Sequence, residues 1–136
     1  MAGCTFCEIV AHEREAAVVL AEPDVLAFLD VRPLFPGHTL VVPRAHVATL
    51  AEVPDALAES LFGAARRLAG AMRVALGAEG TFVAMNDIVS QSVPHVHLHV
   101  VPRRKGDGLR GFFWPRGRYD DPGHTERIRS AIAAAL

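Results

Sequence analysis

The chain of 136 residues is poor in cysteine, with Cys4 and Cys7 as its only thiols, and it has a single tryptophan. Two neighbouring cysteines cannot staple a fold with disulfides, and a chain of this length buries enough surface to need none. No apolar run approaches the roughly 18 residues of a transmembrane helix, so we expect no membrane partner. The N-terminus lacks a basic stretch followed by an apolar one, so we find no signal peptide and expect a cytoplasmic protein.

The chain also lacks a strong charge of either sign. Its formal net charge is −1, which gives no positive field for nucleic acid, and we expect no nucleic-acid partner. One local basic group follows the last predicted strand. It fits either a solvated loop or a rim that attracts an anionic small molecule, and it consists of Arg103, Arg104, Lys105, Arg110, Arg116 and Arg118.

The hydrophobic pattern predicts a single α+β domain over residues 1–136. Apolar residues recur every three or four positions over 54–76, which predicts one long amphipathic helix, and a short helix is expected at 125–135. Short apolar runs bounded by turn residues predict five strands, at 16–21, 24–30, 38–43, 81–85 and 95–102. This order indicates a five-stranded antiparallel sheet with the long helix on one face.

The stretch HVHLHVV, residues 95–101, alternates three histidines with apolar residues. On an extended strand His95, His97 and His99 would share one face, opposite the face that reaches the core beneath the long helix. A neutral imidazole can attack phosphorus while a neighbouring imidazole donates to phosphate oxygens. Two such histidines also hold zinc in hydrolases. The strand alone leaves both interpretations open, and it disfavours a purely structural role.

Three stretches carry a resemblance to a known family. QSVPHVHLHVVPR (91–103) resembles the histidine triad of the HIT family of nucleotide hydrolases and transferases. CTFCEIV (4–10) resembles the N-terminal segment of that family, and DVLAFLDVRPLFPGHTLVVPRAH (24–46) resembles its second and third strands. The shared motifs fall within 1–105, and 106–136 form a C-terminal loop and short helix. The resemblance implies a HIT-like fold and a homodimer that joins the two sheets.

The resemblance also implies an enzyme with a nucleotide substrate. It would act at the α-phosphate of a purine nucleoside 5′-phosphate derivative, as a phosphoramidase or a dinucleoside polyphosphate hydrolase. His97 matches the nucleophile, which would form a nucleotidyl-histidine, and His99 matches the histidine that contacts the phosphate and assists the leaving group. His38 matches a position near the triad, where it would orient a neighbouring side chain.

The substrate-binding residues carry over in the same way. Asp30 matches the carboxylate that accepts from the ribose hydroxyls, and Gln91 and Ser92 match side chains that bond the phosphate and leaving group. Asn86 would also reach the phosphate, although NDIVSQ (86–91) is two residues shorter than the glycine-rich turn common in the family. The apolar pocket around the base would consist of Phe6, Ile9, Phe28 and Val31.

The pair Cys4-x-x-Cys7 indicates a metal or redox site in a reducing compartment. Many bacterial members of the family have such a pair, and the resemblance implies zinc held by Cys4, Cys7, His46 and His95. This set fits a closed tetrahedral structural site, which would remove His95 from the chemistry. A reduced pair of thiols without metal is the alternative.

Two other functions remain open from the sequence. One is a zinc-dependent hydrolase that uses the triad as metal ligands, and the other is a nucleotide-binding module without catalysis. The aromatic segment 108–119 lies outside the shared motifs. Its residues would cross a subunit interface, cover the nucleotide or close the core, and the most apolar of them are Phe112, Phe113 and Trp114.

Overall fold

A computed structural model describes residues 3–109 and 116–136 of the chain. It contains one five-stranded sheet in the order β1-β2-β3-β5-β4, and every neighbouring pair of strands is antiparallel. The strands are β1 Val18–Ala21, β2 Val25–Leu29, β3 Thr39–Pro43, β4 Gly80–Ala84 and β5 Leu98–Arg103. The helices are α1 Thr5–Val10, α2 Asp55–Leu76 and α3 Pro122–Ala135, with a short 3-10 helix at Leu50–Glu52. The predicted sheet, long helix and C-terminal helix are therefore confirmed.

The long helix α2 covers one face of the sheet. Its apolar residues repeat at helical spacing. It ends at Gly77, whose φ is 62°, and the amide of the next residue, Ala78, donates to the carbonyl of Met72 at 3.3 Å. A buried aliphatic core forms between α2 and the sheet. The sheet residues of this core are Val25, Ala27, Val41, Leu98 and Val100, and the helix residues are Leu61, Ala64, Ala65 and Met72.

The short helix α1 packs against the opposite face. Side chains alternate between the faces of a strand, so the neighbours of the α2-facing residues point toward α1. This second core is more aromatic and contains a thiol, and its buried members are Cys4, Phe6, Ile9, Leu26, Phe28, Leu40 and Val42. The sequence analysis did not predict α1 as a helix, although Phe6 and Ile9 have helical spacing. Cys4 at its N-cap makes no side-chain capping bond, so the usual start signal is absent.

The strand that carries the histidines begins later than predicted, at Leu98 rather than at residue 95. Its register with β3 pairs Leu40 with His99 and Val41 with Leu98, and its continuation would place Pro43 opposite Val96. Proline has no amide to donate to that ladder. The amide of Val96 instead bonds the carbonyl of Val47 at 2.8 Å. The first two histidines therefore precede the strand proper.

Within residues 3–109 and 116–136, no helix is both long and apolar enough to cross a membrane. Helix α3 has no buried residue. The aromatic residues Phe112, Phe113 and Trp114 lie outside the described residues, as does Arg110. The roles that the sequence analysis gave them therefore stay predictions.

Candidate active site and metal cluster

An open cleft of about 600 Å³ lies on the α1 side of the sheet. It gathers side chains from α1, from the end of β2 and from the segment that leads into β5. Eight of the predicted site residues line it, namely Phe6, Ile9, Phe28, Asp30, Val31, Ser92, His97 and His99. The fold thus brings the predicted nucleophile, ribose ligand and base pocket into one cavity.

His97 lies at this cleft with one ring nitrogen engaged and one free. Its Nδ1 donates to the carbonyl of its near neighbour His95 at 2.8 Å, which fixes Nδ1 as the protonated nitrogen. In the described part of the chain, no fully buried side-chain nitrogen or oxygen lacks a hydrogen-bond partner. Nε2 of His97 has no such partner, so it reaches the cleft as a bare lone pair although the residue is only 3% exposed.

His99 and His38 form a hydrogen-bonded pair beside it. Nδ1 of His38 accepts from the amide of Leu34 at 3.0 Å, so the proton of neutral His38 is on Nε2. That Nε2 lies 2.9 Å from Nδ1 of His99 and donates to it. The proton of neutral His99 is therefore on Nε2. Each tautomer follows from the partner of the other nitrogen.

Burial and the neighbouring imidazoles favour the neutral forms of this pair. Burial, together with the nearby His97 and His38, lowers the pKa of His99 to about 4. Burial also lowers the pKa of His38, although Asp30, whose Oδ2 lies 3.7 Å from Nε2 of His38, acts in the opposite direction. Near pH 7 His38 and His99 are consequently neutral imidazoles rather than cations.

A second cluster lies beneath α1 and consists of Cys4, Cys7, His46 and His95. Nδ1 of His95 is 3.5 Å from Sγ of Cys4 and 3.6 Å from Sγ of Cys7. Nδ1 of His46 is 3.3 Å from Sγ of Cys7. In tetrahedral zinc, bonds of ~2.3 Å to sulfur and ~2.0 Å to nitrogen place these atoms about 3.5 Å apart. These three distances therefore match a tetrahedral zinc site, and all four ligand atoms lie within 4.8 Å of one another.

The protonation chemistry of this cluster also fits a cation. Nε2 of fully buried His95 donates to the carbonyl of Pro43 at 2.8 Å, which leaves Nδ1 bare toward the two sulfurs. Burial raises the pKa of the Cys7 thiol, and the adjacent Cys4 raises it further. A thiol whose pKa is raised in this way, like that of Cys7, becomes a thiolate readily only when a positive charge lies beside it.

Phe6 connects the cluster to the cleft. Its ring makes edge-on contacts with His95, His97 and Phe28, at centroid distances of 5.8, 5.1 and 5.5 Å. Phe6 is 5% exposed and lies on α1, between the two cysteines. The position of α1 therefore sets one wall of the cleft and one contact of His97.

Two predicted phosphate ligands lie outside the cleft lining. The amide nitrogen of Gln91 donates to the carbonyl of Ala48 at 2.8 Å, and its oxygen accepts from the amide of Ile88 at 3.0 Å. Asn86 is exposed. This short loop holds Ile88 and Ser90 at φ 64° and 61°, a region that favours glycine. Gln91 thus bonds its own loop and the segment that follows β3, and it does not line the cavity.

The structure adds cleft residues that the sequence analysis missed, notably Thr5, Arg14, Glu15 and Arg32. Thr5 could have been found by treating CTFCEIV as a helix. Arg14 and Glu15 lie in the polar turn between α1 and β1, which contains no recognisable sequence motif. They reach the cleft only because the chain folds back along α1 before it enters β1.

Two of the three alternating histidines line a cleft of an antiparallel sheet, and the third belongs to a cysteine and histidine cluster. This arrangement defines the class of histidine-triad proteins. The family model described as HIT domain matches residues 11–106. The chain belongs to the HIT family, which confirms the resemblance drawn from its motifs.

Relatives agree with this assignment. The Protein hit of Bacillus subtilis is 38% identical over 139 residues, which cover 98% of this chain and 94% of the relative. The adenosine 5′-monophosphoramidase of Saccharomyces cerevisiae is 33% identical over 119 residues, covering 88% and 74%. The adenylylsulfatase of Arabidopsis thaliana is 29% identical over 108 residues, covering 78% of this chain and 55% of the relative.

Solved structures agree as well. A HIT family protein from Bacillus subtilis superposes with a TM-score of 0.88 at 35% identity, covering 98% of this chain and 97% of the other. A zinc-bound histidine triad family protein from Mycobacterium smegmatis superposes with a TM-score of 0.76 at 36% identity, covering 98% and 95%.

Proposed function

We propose that the protein hydrolyses or transfers the nucleotidyl group of a purine nucleoside 5′-phosphate derivative, with His97 as nucleophile. The observation that supports this most directly is the free Nε2 of His97 in an open cleft. Two relatives bear names of this chemistry, an adenosine 5′-monophosphoramidase and an adenylylsulfatase. Both names describe cleavage next to the phosphorus of an adenosine 5′-phosphate.

The first step forms a bond between Nε2 of His97 and the α-phosphorus. The bond from phosphorus to the leaving group breaks, and the leaving group takes that electron pair and then a proton from water. The proton stays on Nδ1 of His97, which continues to donate it to the carbonyl of His95. Water then attacks the same phosphorus and loses a proton to solvent. Nε2 recovers its lone pair, and the nucleoside monophosphate is released.

His99 would stabilise the charge that develops in both steps. Because its Nδ1 accepts from His38, its Nε2–H is free to donate to a phosphate or leaving-group oxygen. His99 would donate a hydrogen bond and keep its proton, since a neutral imidazole that lost this proton would become an unfavourable anion. His38 acts as a positioning residue that selects the required tautomer of His99.

The remaining cleft residues would bind the nucleoside. Oδ1 of Asp30 accepts a hydrogen bond from the amide of Arg32 at 2.8 Å. This bond orients the carboxylate, which would accept hydrogen bonds from the ribose hydroxyls. The base would lie among the apolar side chains Phe6, Ile9, Phe28 and Val31. Ser92 is exposed at the cleft and would bond the phosphate.

We propose an indirect role for Gln91, which differs from the role that the family resemblance implied. Both ends of its amide are already bonded, one to Ile88 in the same loop and the other to Ala48, so it would position Ser92 rather than contact the phosphate. Asn86 would reach the phosphate only after the loop has moved, and its direct contact stays a prediction.

We further propose that Cys4, Cys7, His46 and His95 hold a structural zinc ion. When bound, the ion would join α1 to the segment that precedes β5. It would have no open coordination position for substrate, because four protein ligands complete a tetrahedral site. No triad member other than His95 belongs to this cluster, which argues against a hydrolase that uses the whole triad as metal ligands.

A homodimer is also proposed, through the edge of the sheet. β4 is an outer strand, and Phe62 on α2 is 65% exposed. Phe62, Ala65, Ala69 and Val83 line an apolar groove of about 500 Å³ beside that strand. Such a surface favours burial against a second copy. Light scattering should give twice the chain mass for the wild type and the chain mass for Phe62→Arg.

One experiment tests the proposed chemistry. The wild type and His97→Ala are incubated with an adenosine 5′-phosphoramidate and a dinucleoside polyphosphate, and the protein is examined by mass spectrometry after an acid-free quench. We expect a nucleotidyl adduct on His97 and a loss of at least about 10³-fold in kcat/KM in the variant. His124→Ala on α3 is the control and should retain activity. Full activity of His97→Ala would reject the mechanism, and binding without turnover would indicate a non-catalytic module.

A further inference from the structure

We propose that the protein accepts purine nucleotides whose exocyclic N6 amine carries an alkyl or aryl substituent, which would occupy a recess beyond the base pocket. The inference rests on the proposed function, because it assumes that the base lies in the apolar part of the cleft. It goes further in naming a substrate feature that the cleft alone does not define.

The recess has a volume of about 710 Å³ and is open to solvent. It continues directly from the cleft, because five residues line both cavities, namely Ile9, Arg14, Glu15, Ala16 and Val31. His12, Ala17 and Val18 line the recess alone. His97, His99 and Ser92 line the cleft alone. The shared residues therefore mark the end of the cleft that is remote from the reacting phosphorus.

The geometry of a purine nucleotide points its N6 atom toward this end. The phosphorus would lie at His97 and the ribose at Asp30, and the base would extend from the ribose toward Ile9 and Val31. In a purine, the atoms farthest from the glycosidic nitrogen form the edge that carries the C6 substituent. A base held in this way presents that edge to the shared residues, with the recess behind them.

The wall of the recess is built by a fixed turn. The amide of His12 bonds the carbonyl of Ile9 at 3.1 Å, and the amide of Glu13 bonds the carbonyl of Glu8 at 2.8 Å. The guanidinium of Arg14 bonds the carboxylate of Glu8 at 2.8 Å. These bonds hold the turn against α1, so the recess does not depend on a single side-chain conformation.

The chemistry of the recess suits a secondary amine with an apolar group. Val31 is 93% exposed and Val18 is 47% exposed, although both are aliphatic. Burial of such surface against an alkyl or aryl group is favourable. The Glu15 carboxylate makes no hydrogen bond or ion pair within the part of the chain that the structure describes, so it is free to accept from the N6–H. A base whose C6 edge faced solvent would need neither the exposed valines nor a free carboxylate beside it.

The test compares the binding of AMP and N6-benzyl-AMP by calorimetry, and it adds turnover of the two corresponding 5′-phosphoramidates. We expect the wild type to bind and cleave the benzyl compounds within about threefold of the unsubstituted ones. Ala17→Trp should fill the recess and weaken binding of the benzyl nucleotide by at least about tenfold, with less than a twofold change for AMP. Val18→Trp repeats the test from β1.

Ala21→Trp is the matched control, because Ala21 is exposed on β1 and lines neither cavity. Ala21→Trp should leave the affinity for AMP and the affinity for N6-benzyl-AMP unchanged. Exclusion of N6-benzyl-AMP by a wild type that binds AMP would overturn this inference alone. Equal losses for both nucleotides in Ala17→Trp would overturn it as well. A wild type that binds neither nucleotide would overturn the inference together with the proposed function.

Discussion

The two faces of the sheet are built from alternate residues of the same strands, yet their chemistry differs. Toward α2, Val41 and Val100 are fully buried aliphatic side chains. Toward α1, their strand neighbours Leu40 and His99 border the cleft. The α2 face relies on close packing, whereas the α1 face combines aromatic contacts, imidazole hydrogen bonds and a cysteine and histidine cluster.

This difference predicts that the faces fail in different ways. Packing defects on the α2 face should lower the free energy of unfolding and leave the chemistry of each folded molecule unchanged. Changes on the α1 face should alter activity, metal content and pH dependence, because the groups that stabilise this face are the groups that react. Four measurements test this contrast.

The largest effect should follow removal of the metal cluster by Cys4→Ala. Structural zinc contributes an apparent ~10–16 kcal/mol in small zinc domains, and its loss would free α1 together with Phe6. We expect zinc in the wild type by elemental analysis, none in the variant, and a markedly lower unfolding temperature. His12→Ala, which removes an imidazole outside the cluster, should keep its zinc. A metal-free wild type would contradict the proposed site.

On the α2 face, Leu61→Ala should destabilise the protein by about 2–5 kcal/mol, because Leu61 is 3% exposed and its removal leaves a cavity. Urea unfolding measures this loss, and kcat of the folded fraction should not change. Val74→Ala, at a position 90% exposed on the same helix, should cost less than about 0.5 kcal/mol. A fall in kcat with Leu61→Ala would show that the faces are coupled.

A smaller, purely catalytic effect is expected for His38→Leu. Without a donor to its Nδ1, His99 would lose its tautomeric preference, and kcat should fall by about 10²-fold while KM changes little. His38→Gln can still donate from its amide and should recover part of the rate. The acid limb of the pH profile of kcat should also shift, because His38 lowers the pKa of His99. Equal rates for the two variants would refute a role in selecting the tautomer.

The smallest effect concerns stability against pH. The pKa of His99 is lowered to about 4 and that of His38 is also lowered, whereas an unfolded histidine titrates near ~6.5. Between these values the unfolded chain binds more protons, so this stabilisation is complete above about pH 6.5 and is lost as the pH falls toward 4. Urea unfolding from pH 7.5 to 4.5 should show a steeper decline in the wild type than in His38→Leu.

Much of the fold could be predicted because its signals are local. The helical repeat that ends at Gly77 predicted α2 to within a residue, and apolar runs between turn residues predicted the strands. Helix α1 was missed, because six residues without a capping side chain resemble a loop. The late start of β5 depends on Pro43, which lies more than fifty residues away in sequence and acts only through pairing.

The candidate site, like the fold, was predicted only in part from the sequence. The histidine pattern and the family resemblance named half of the residues that line the cleft. Neither could show that the Gln91 amide bonds Ile88 and Ala48 or that Arg14 and Glu15 reach the cavity. Those facts depend on the path of a turn and on hydrogen bonds between distant segments, which residue types alone do not encode.

The carbonyl of His95 has a consequence for how the chain can vary. This main-chain oxygen, rather than the imidazole of the same residue, holds the proton on Nδ1 of His97. Replacement of side chains cannot delete a backbone acceptor as long as the local path of the chain is kept. A related sequence could hold α1 in place by aliphatic contacts alone and lose the zinc ion and both cysteines. Nε2 of its central histidine would still present the same lone pair to phosphorus.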